Sequence, residues 1–273
     1  PAFITYLPEH EKTFMSRLQE VGYHTAAIGK QHFGGSRIAH GYDYEDIVDT
    51  HTPEPQNPHK DSYCRWLHDC GFTQSDDLIK LHAGPGHVAE WKADPEYHVD
   101  HYVGNRGREW LENSMPTNKP WFCWISFPGP HGPIDCGNFP QAERYHPRDI
   151  DMPETDFEVL KQKPPHNSLR HGEPPPPHKP TPWEDIRKLR RAYYANVTLI
   201  DEKIGAILQV LRDKESYDNT LIFFTSDHGD FLGDFQLVGK GQNIMEVLMR
   251  IPFIVKPPKG ECTGKQESSL ISS

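Results

Sequence analysis

The chain has 273 residues, 35% hydrophobic and 25% charged, enough for one large domain or two small ones around a substantial core. Lys and Arg number 29 against 39 Asp and Glu, a formal charge of −10, and no basic cluster has the form of a phosphate-backbone footprint, which argues against nucleic acid as a partner. No apolar run is long enough to span a bilayer, and the five sparse cysteines (Cys64, Cys70, Cys123, Cys136 and Cys262) give neither a disulfide framework nor zinc-site spacing.

In chain order, residues 9–22 are predicted as an amphipathic helix, with Phe14, Leu18 and Val21 on one face and Gly22 as its stop. Thr25 to Ile28 is a short strand that ends at Gly29-Lys30. Residues 36–97 are loop-rich, with Pro53, Pro55 and Pro58 close together, and are expected to wrap the surface. Residues 99–113 are helical, with Val103, Trp110 and Leu111 pointing inward. Trp121 to Phe127 is a strong buried strand that runs into Pro128-Gly129-Pro130-His131-Gly132-Pro133. Residues 164–182 form a proline-rich connector, with Pro174 to Pro177 in a row. The longest helix is predicted over 183–213, where Ile186, Leu189, Tyr193, Val197, Ile200, Ile204, Ile207 and Leu211 step by three or four. Leu221 to Ser226 reads as a second buried strand, and Pro252 to Val255 as another short one.

Strands alternating with helices make the class α/β, and no domain boundary interrupts residues 1–273. Three strands end in the same kind of chemistry: Gly29-Lys30-Gln31-His32, then Pro130-His131-Gly132-Pro133, then Asp227-His228-Gly229 with Lys240 downstream. In one parallel sheet these ends share a rim, where ligands bind. Two lysines, two histidines and a carboxylate–imidazole metal pair would converge there. That set suits a tetrahedral oxyanion: cations hold its oxygens, a metal polarises it and a histidine protonates the leaving oxygen. Taken singly, each residue has a plain structural explanation: a turn lysine at 30, a core histidine at 32, a loop histidine at 131, a solvated cation at 240. All of these holding together would be a coincidence.

At these residues the chain resembles the sulfatase family of the alkaline-phosphatase-like superfamily. Gly22-Tyr23-His24-Thr25-Ala26-Ala27-Ile28-Gly29-Lys30-Gln31-His32-Phe33-Gly34 is similar to the second signature of that family, with Gln31 in place of its usual Trp and Phe33 in place of Leu. Pro130-His131-Gly132-Pro133 resembles its P-H-x-P motif, and Ser226-Asp227-His228-Gly229 with Gly239-Lys240-Gly241 its metal pair and downstream lysine. The resemblance implies a mixed, largely parallel sheet flanked by helices. It implies Lys30 and Lys240 as sulfate-binding residues, His32 as a contact of the nucleophile, His131 as general acid, and Asp227 and His228 as metal ligands. The metal would be divalent, with calcium favoured by the family and manganese or another transition metal admitted by the imidazole donor. The substrate implied is a small-molecule or carbohydrate sulfate ester, and the location periplasmic or secreted.

The nucleophile motif C-x-P-x-R and the paired aspartates of a first strand have no counterpart here; Ser114-Met115-Pro116-Thr117-Asn118 lacks the arginine, and Asp76-Asp77 follows no apolar strand. The expectation is therefore a partial, incomplete catalytic domain, with the formylglycine nucleophile outside these residues and a formylglycine-generating enzyme as the maturation partner of the whole protein. Phosphonate monoester or phosphodiester hydrolysis on the same scaffold is the alternative activity, and a non-catalytic sulfatase-like binding protein the alternative class.

Overall fold

A computed structural model describes residues 11–31, 41–49, 51–82, 88–155, 157–162, 180–240, 244–259 and 264. The elements run in the order α1 (Phe14–Glu20), β1 (His24–Gly29), β2 (Tyr44–Ile47), α2 (Ser62–Asp69), β3 (Ile79–Leu81), β4 (Ala89–Trp91), α3 (Val99–Asn113), β5 (Trp121–Ser126), α4 (Trp183–Asp213), β6 (Ile222–Thr225), α5 (Glu246–Met249) and β7 (Phe253–Lys256). His32, Cys262 and most of the proline-rich connector lie outside the described residues.

The centre is a parallel sheet in the order β2-β1-β5. β1 holds Thr25, Ala26, Ala27 and Ile28, all fully buried, and its side chains alternate between two layers. Ala26 and Ile28 join Cys123 and Ile125 of β5 in the large core beneath α3 and α4. Ala27 faces the other way, with Met15 of α1, Tyr42 and Phe122. A sheet covered by helices on both faces is what its short apolar runs require. Within α3, Val103, Trp110 and Leu111 are buried as expected.

Five expectations are corrected. The first helix is shorter than 9–22 and buries Met15, while Phe14 and Val21 are exposed at 51% and 71%. Phe14 instead leans on Trp124 and Phe122 across the sheet surface. The described residues of 36–97 are not a surface wrapping. They contribute β2, α2 and the antiparallel pair β3–β4, and Tyr63, Leu67, Leu78 and Trp91 are core residues. Asp61 starts α2 by accepting the Cys64 N–H at 2.7 Å.

The strand ends also do not share one sheet among the described residues. β6 pairs only with β7, antiparallel, as a separate ribbon. Nor is β6 buried: Phe223 and Phe224 are exposed, as are Phe253, Ile254 and Val255 of β7. The physical reason is a wide cleft between the outer edge of β5 and the β6–β7 ribbon, floored by Val197, Ile200, Ile204 and Leu208 of α4. The predicted stripe of α4 is accordingly split. Ile186, Leu189, Ile207 and Leu211 are buried, whereas Val197 is exposed in the cleft.

Candidate active site

The site forms where β1, β5 and β6 end. β1 stops at Gly29, whose φ of +88° and close approach to the Ser126 carbonyl both favour glycine. Lys30 follows, anchored by its N–H on Ser126 O at 2.8 Å. β5 runs into the 128–133 segment, which carries His131. β6 runs into Asp227 and His228. Gly229 sits next to α5, where a Cβ would meet the Val247 carbonyl at 2.1 Å; its N–H instead donates to Leu248 O at 2.8 Å. Close packing, beyond turn freedom, therefore explains this glycine.

Five of the six residues expected from sequence come together. The rings of His131 and His228 lie 6.2 Å apart, edge to face. Lys240 Nζ donates to His228 Nε2 at 2.5 Å, and Asp227 Oδ2 stands 3.5 Å from the same nitrogen. Lys30 feels both the Asp227 carboxylate and the Lys240 ammonium. The sixth, His32, lies outside the described residues.

Three residues of the cluster were not legible. His51 accepts from Lys30 Nζ at 2.8 Å and stacks on His131 with ring centroids 4.0 Å apart. Asp49, two positions earlier, contributes negative charge near Lys30. Asp230 accepts the Leu232 N–H at 2.9 Å and pins the turn that leads to Lys240. His51 and Asp49 follow β2, a strand too short and polar to be seen in the sequence. Asp230 had a weak signal, three residues past Asp227.

Burial dominates the electrostatics. It lowers both lysines from their ordinary range, against the pull of Asp227 on each. It also lowers His131 to about 4, helped by the neighbouring charges of Lys240 and Lys30 and by His228. Burial raises Asp230, while its backbone hydrogen bonds oppose that rise. A pocket that holds two under-hydrated ammonium groups beside a neutral imidazole is built to be completed by an anion.

The donor chemistry at 227 and 228 fits a divalent cation. His228 Nδ1 donates to the Gly229 carbonyl at 2.7 Å, which fixes the tautomer and puts the Nε2 lone pair beside the Asp227 carboxylate; a cation held there would take the lone pair that accepts from Lys240 Nζ in this structure. His131 uses the same device, with Nδ1 on the Gly132 carbonyl at 2.7 Å. None of the described cysteines is set up as a nucleophile: Cys64, Cys123 and Cys136 have their thiols pushed up by burial, and Cys70 is raised the same way at the end of α2.

Comparison with known proteins shows the family of the chain. The chain is similar to a choline-sulfatase of Rhizobium meliloti, 30% identical over 255 residues that cover 90% of the chain and 47% of that protein. It is also similar to an arylsulfatase of Clostridium perfringens, 28% identical over 94% of the chain and 54% of that protein. The chain thus spans about half the length of these relatives. In fold it is similar to the crystal structure of a phosphonate monoester hydrolase of Agrobacterium radiobacter, with a TM-score of 0.68 at 21% identity over 93% of this chain and 54% of that one. The model of the sulfatase family matches residues 2–273, with the converging strand-end motifs inside that span, and the chain belongs to that family.

Proposed function

We propose that these residues form the oxyanion-binding part of a sulfuric ester hydrolase that acts on a small-molecule or carbohydrate sulfate. The observation that supports it is the meeting of Lys30, His131, Asp227, His228 and Lys240 from three strand ends. Lys30 and Lys240 hold the sulfate oxygens. His51 orients Lys30 through its Nε2 and His131 through ring stacking. His131, with Nδ1 committed to the Gly132 carbonyl, passes a proton to the departing alcohol from Nε2. A sulfate between the lysines offsets two of the cations that lower the proton affinity of His131. Asp227 and His228 hold a divalent cation, whose chemistry when bound is to polarise the ester oxygens. We assign the nucleophile to a formylglycine outside residues 1–273, because no cysteine here lies in C-x-P-x-R.

A second reading, phosphonate monoester hydrolysis, is favoured by the imidazole donor at 228, which suits transition metals better than the hard, oxygen-preferring calcium ion. The experiment assays aryl sulfate and aryl phosphonate esters in parallel. It uses the full-length protein co-expressed with a formylglycine-generating enzyme, and the 273-residue chain alone. The expected result is sulfate hydrolysis by the full-length protein only, reduced about 100-fold or more by Lys240→Ala and by His131→Ala. Equal activity of both proteins would place the nucleophile within residues 1–273. Faster phosphonate turnover would select the second reading. Sulfate binding without turnover of either ester would make the protein a sulfatase-like binder.

A further inference from the structure

His131 stands on the 128–135 segment after β5, and the ends of that stretch are tied to a single helical turn. At the entry, the Gly129 N–H donates to Asp100 Oδ1 at 3.0 Å. The second carboxylate oxygen, Asp100 Oδ2, accepts from Asn196 Nδ2 of α4 at 2.8 Å. A Cβ on Gly129 would fall 2.2 Å from Asp100 Oδ2 and 2.3 Å from Asn196 Oδ1, so the carboxylate and the amide lie directly against the backbone of the segment. At the exit, Asp135 Oδ1 is 3.1 Å from His98 Nε2.

His98 joins the two ends. Its Nδ1 caps α3 by accepting the Asp100 N–H at 3.3 Å. A neutral imidazole that accepts at Nδ1 carries its proton on Nε2, so His98 donates to Asp135. His98, Asp100, Asp135 and Asn196 are all at least 95% buried, with Asp100 fully so. No solvent competes for these bonds, and each group left unpaired there would bear its full desolvation cost. Ligand atoms of His98, Asp135 and Cys136 lie within 4.8 Å of one another, a donor set that could in principle hold a metal. The hydrogen bonds already use both nitrogens of His98, and the Cys136 thiol points its proton at Asp135 Oδ1, 3.7 Å away. The trio is therefore closed as a hydrogen-bonded network.

We propose that Asp100 and His98 are positioning residues for His131: the first turn of α3 grips the 128–135 segment at both ends and sets where His131 stands relative to His228 and the two lysines. The proposal rests on His131 being the proton donor of the reaction proposed above. Neither residue touches substrate; both act through the backbone that bears His131.

The test uses the full-length protein with Asp100→Ala, Asp100→Asn, Asn196→Ala and His131→Ala, assayed on aryl sulfates of graded leaving-group ability. A displaced proton donor slows poor leaving groups selectively, whereas a loss of folded protein lowers every rate by the same factor. The expected result for Asp100→Ala is a kcat about 100-fold lower on the poorest leaving group and little changed on the best. Asp100→Asn, which keeps an acceptor for the Gly129 N–H, should restore most of that loss. Asp100→Ala should add nothing in a His131→Ala background. If Asp100→Ala does not fold, Asn196→Ala carries the same test with a smaller loss, since it removes one of the two bonds to the carboxylate.

Two readouts need no turnover and so separate failure of this proposal from failure of the sulfatase reading. They are the hydrogen exchange of the Gly129 amide and the ring resonances of His131. Both should change in Asp100→Ala and stay near wild type in Asp100→Asn. A uniform loss across leaving groups, additive losses with His131→Ala, or unchanged Gly129 exchange and His131 resonances in Asp100→Ala would overturn the proposal.

Discussion

Lys30, His131, Asp227 and His228 were legible because each follows an apolar run closely, and a polar group at the end of such a run is held at a strand terminus; Lys240 was legible only through the resemblance of Gly239-Lys240-Gly241 to the downstream lysine of the family. His51 had no such marker: it is one of 17 histidines and follows a strand of Tyr-Glu-Asp-Ile. At this scale a pH effect also follows, from His101 on α3. Burial first, and the charge of Lys203 second, lower its pKa to about 4, against about 6.5 in an unfolded chain. The folded state then binds fewer protons than the unfolded state between those values. Stability should fall as pH drops through 6.5, with the loss complete below about 4. The ring keeps some contact with solvent, so the effect is roughly 1–2 kcal/mol rather than the full shift. Urea midpoints at pH 7.5 and pH 5 should differ less in His101→Gln than in the parent. An unchanged difference would show that His101 is not the group involved.

The elements were read with uneven success for a physical reason. α3 and α4 are 15 and 31 residues long, enough turns for a periodic pattern to declare itself. α2 has eight residues and β2 four, so their signal is carried by a cap and by contacts distant in sequence. Asp61 shows what such a cap can do. One oxygen takes the Cys64 N–H that opens α2, and the other takes the Asp49 N–H at 3.1 Å, two residues before His51. Asp61→Ala should therefore cost about 1–2 kcal/mol, as a lost cap plus an unpaired N–H. It should also raise amide exchange at Asp49, whereas Asp69→Ala, at the exposed end of the same helix, should leave both unchanged. Equal effects of the two substitutions in urea titrations would remove Asp61 from this double role.

For the molecule as a whole, burial of β6 depends on what lies beside it, which no local pattern records. An apolar run announces that a strand wants cover, and Ile222–Thr225 is such a run, yet Phe223 is 57% exposed across the cleft from β5. Phe253 and Ile254 extend the same uncovered surface. A patch of this kind next to open strand edges drives association. The 273-residue chain should self-associate in sedimentation velocity experiments, and Ile254→Lys with Phe223→Lys should return it toward monomer. A strictly monomeric parent at high concentration would contradict this.

Trp124 occupies the β5 wall of that cleft, 38% exposed and stacked on Phe14. Trp91 and Trp110 are buried, each with 2% exposure. The indoles thus divide into a shielded group and two wet rings, Trp124 at the open edge and Trp183, 40% exposed at the start of α4 and outside the cleft lining, whose emission a Trp183→Phe background removes. Whatever fills the cleft, whether another stretch of polypeptide or a second copy, would dry the Trp124 ring and shift its emission to the blue. The protein therefore carries its own optical gauge of whether the cleft is filled, readable without a label and independent of any catalytic assay.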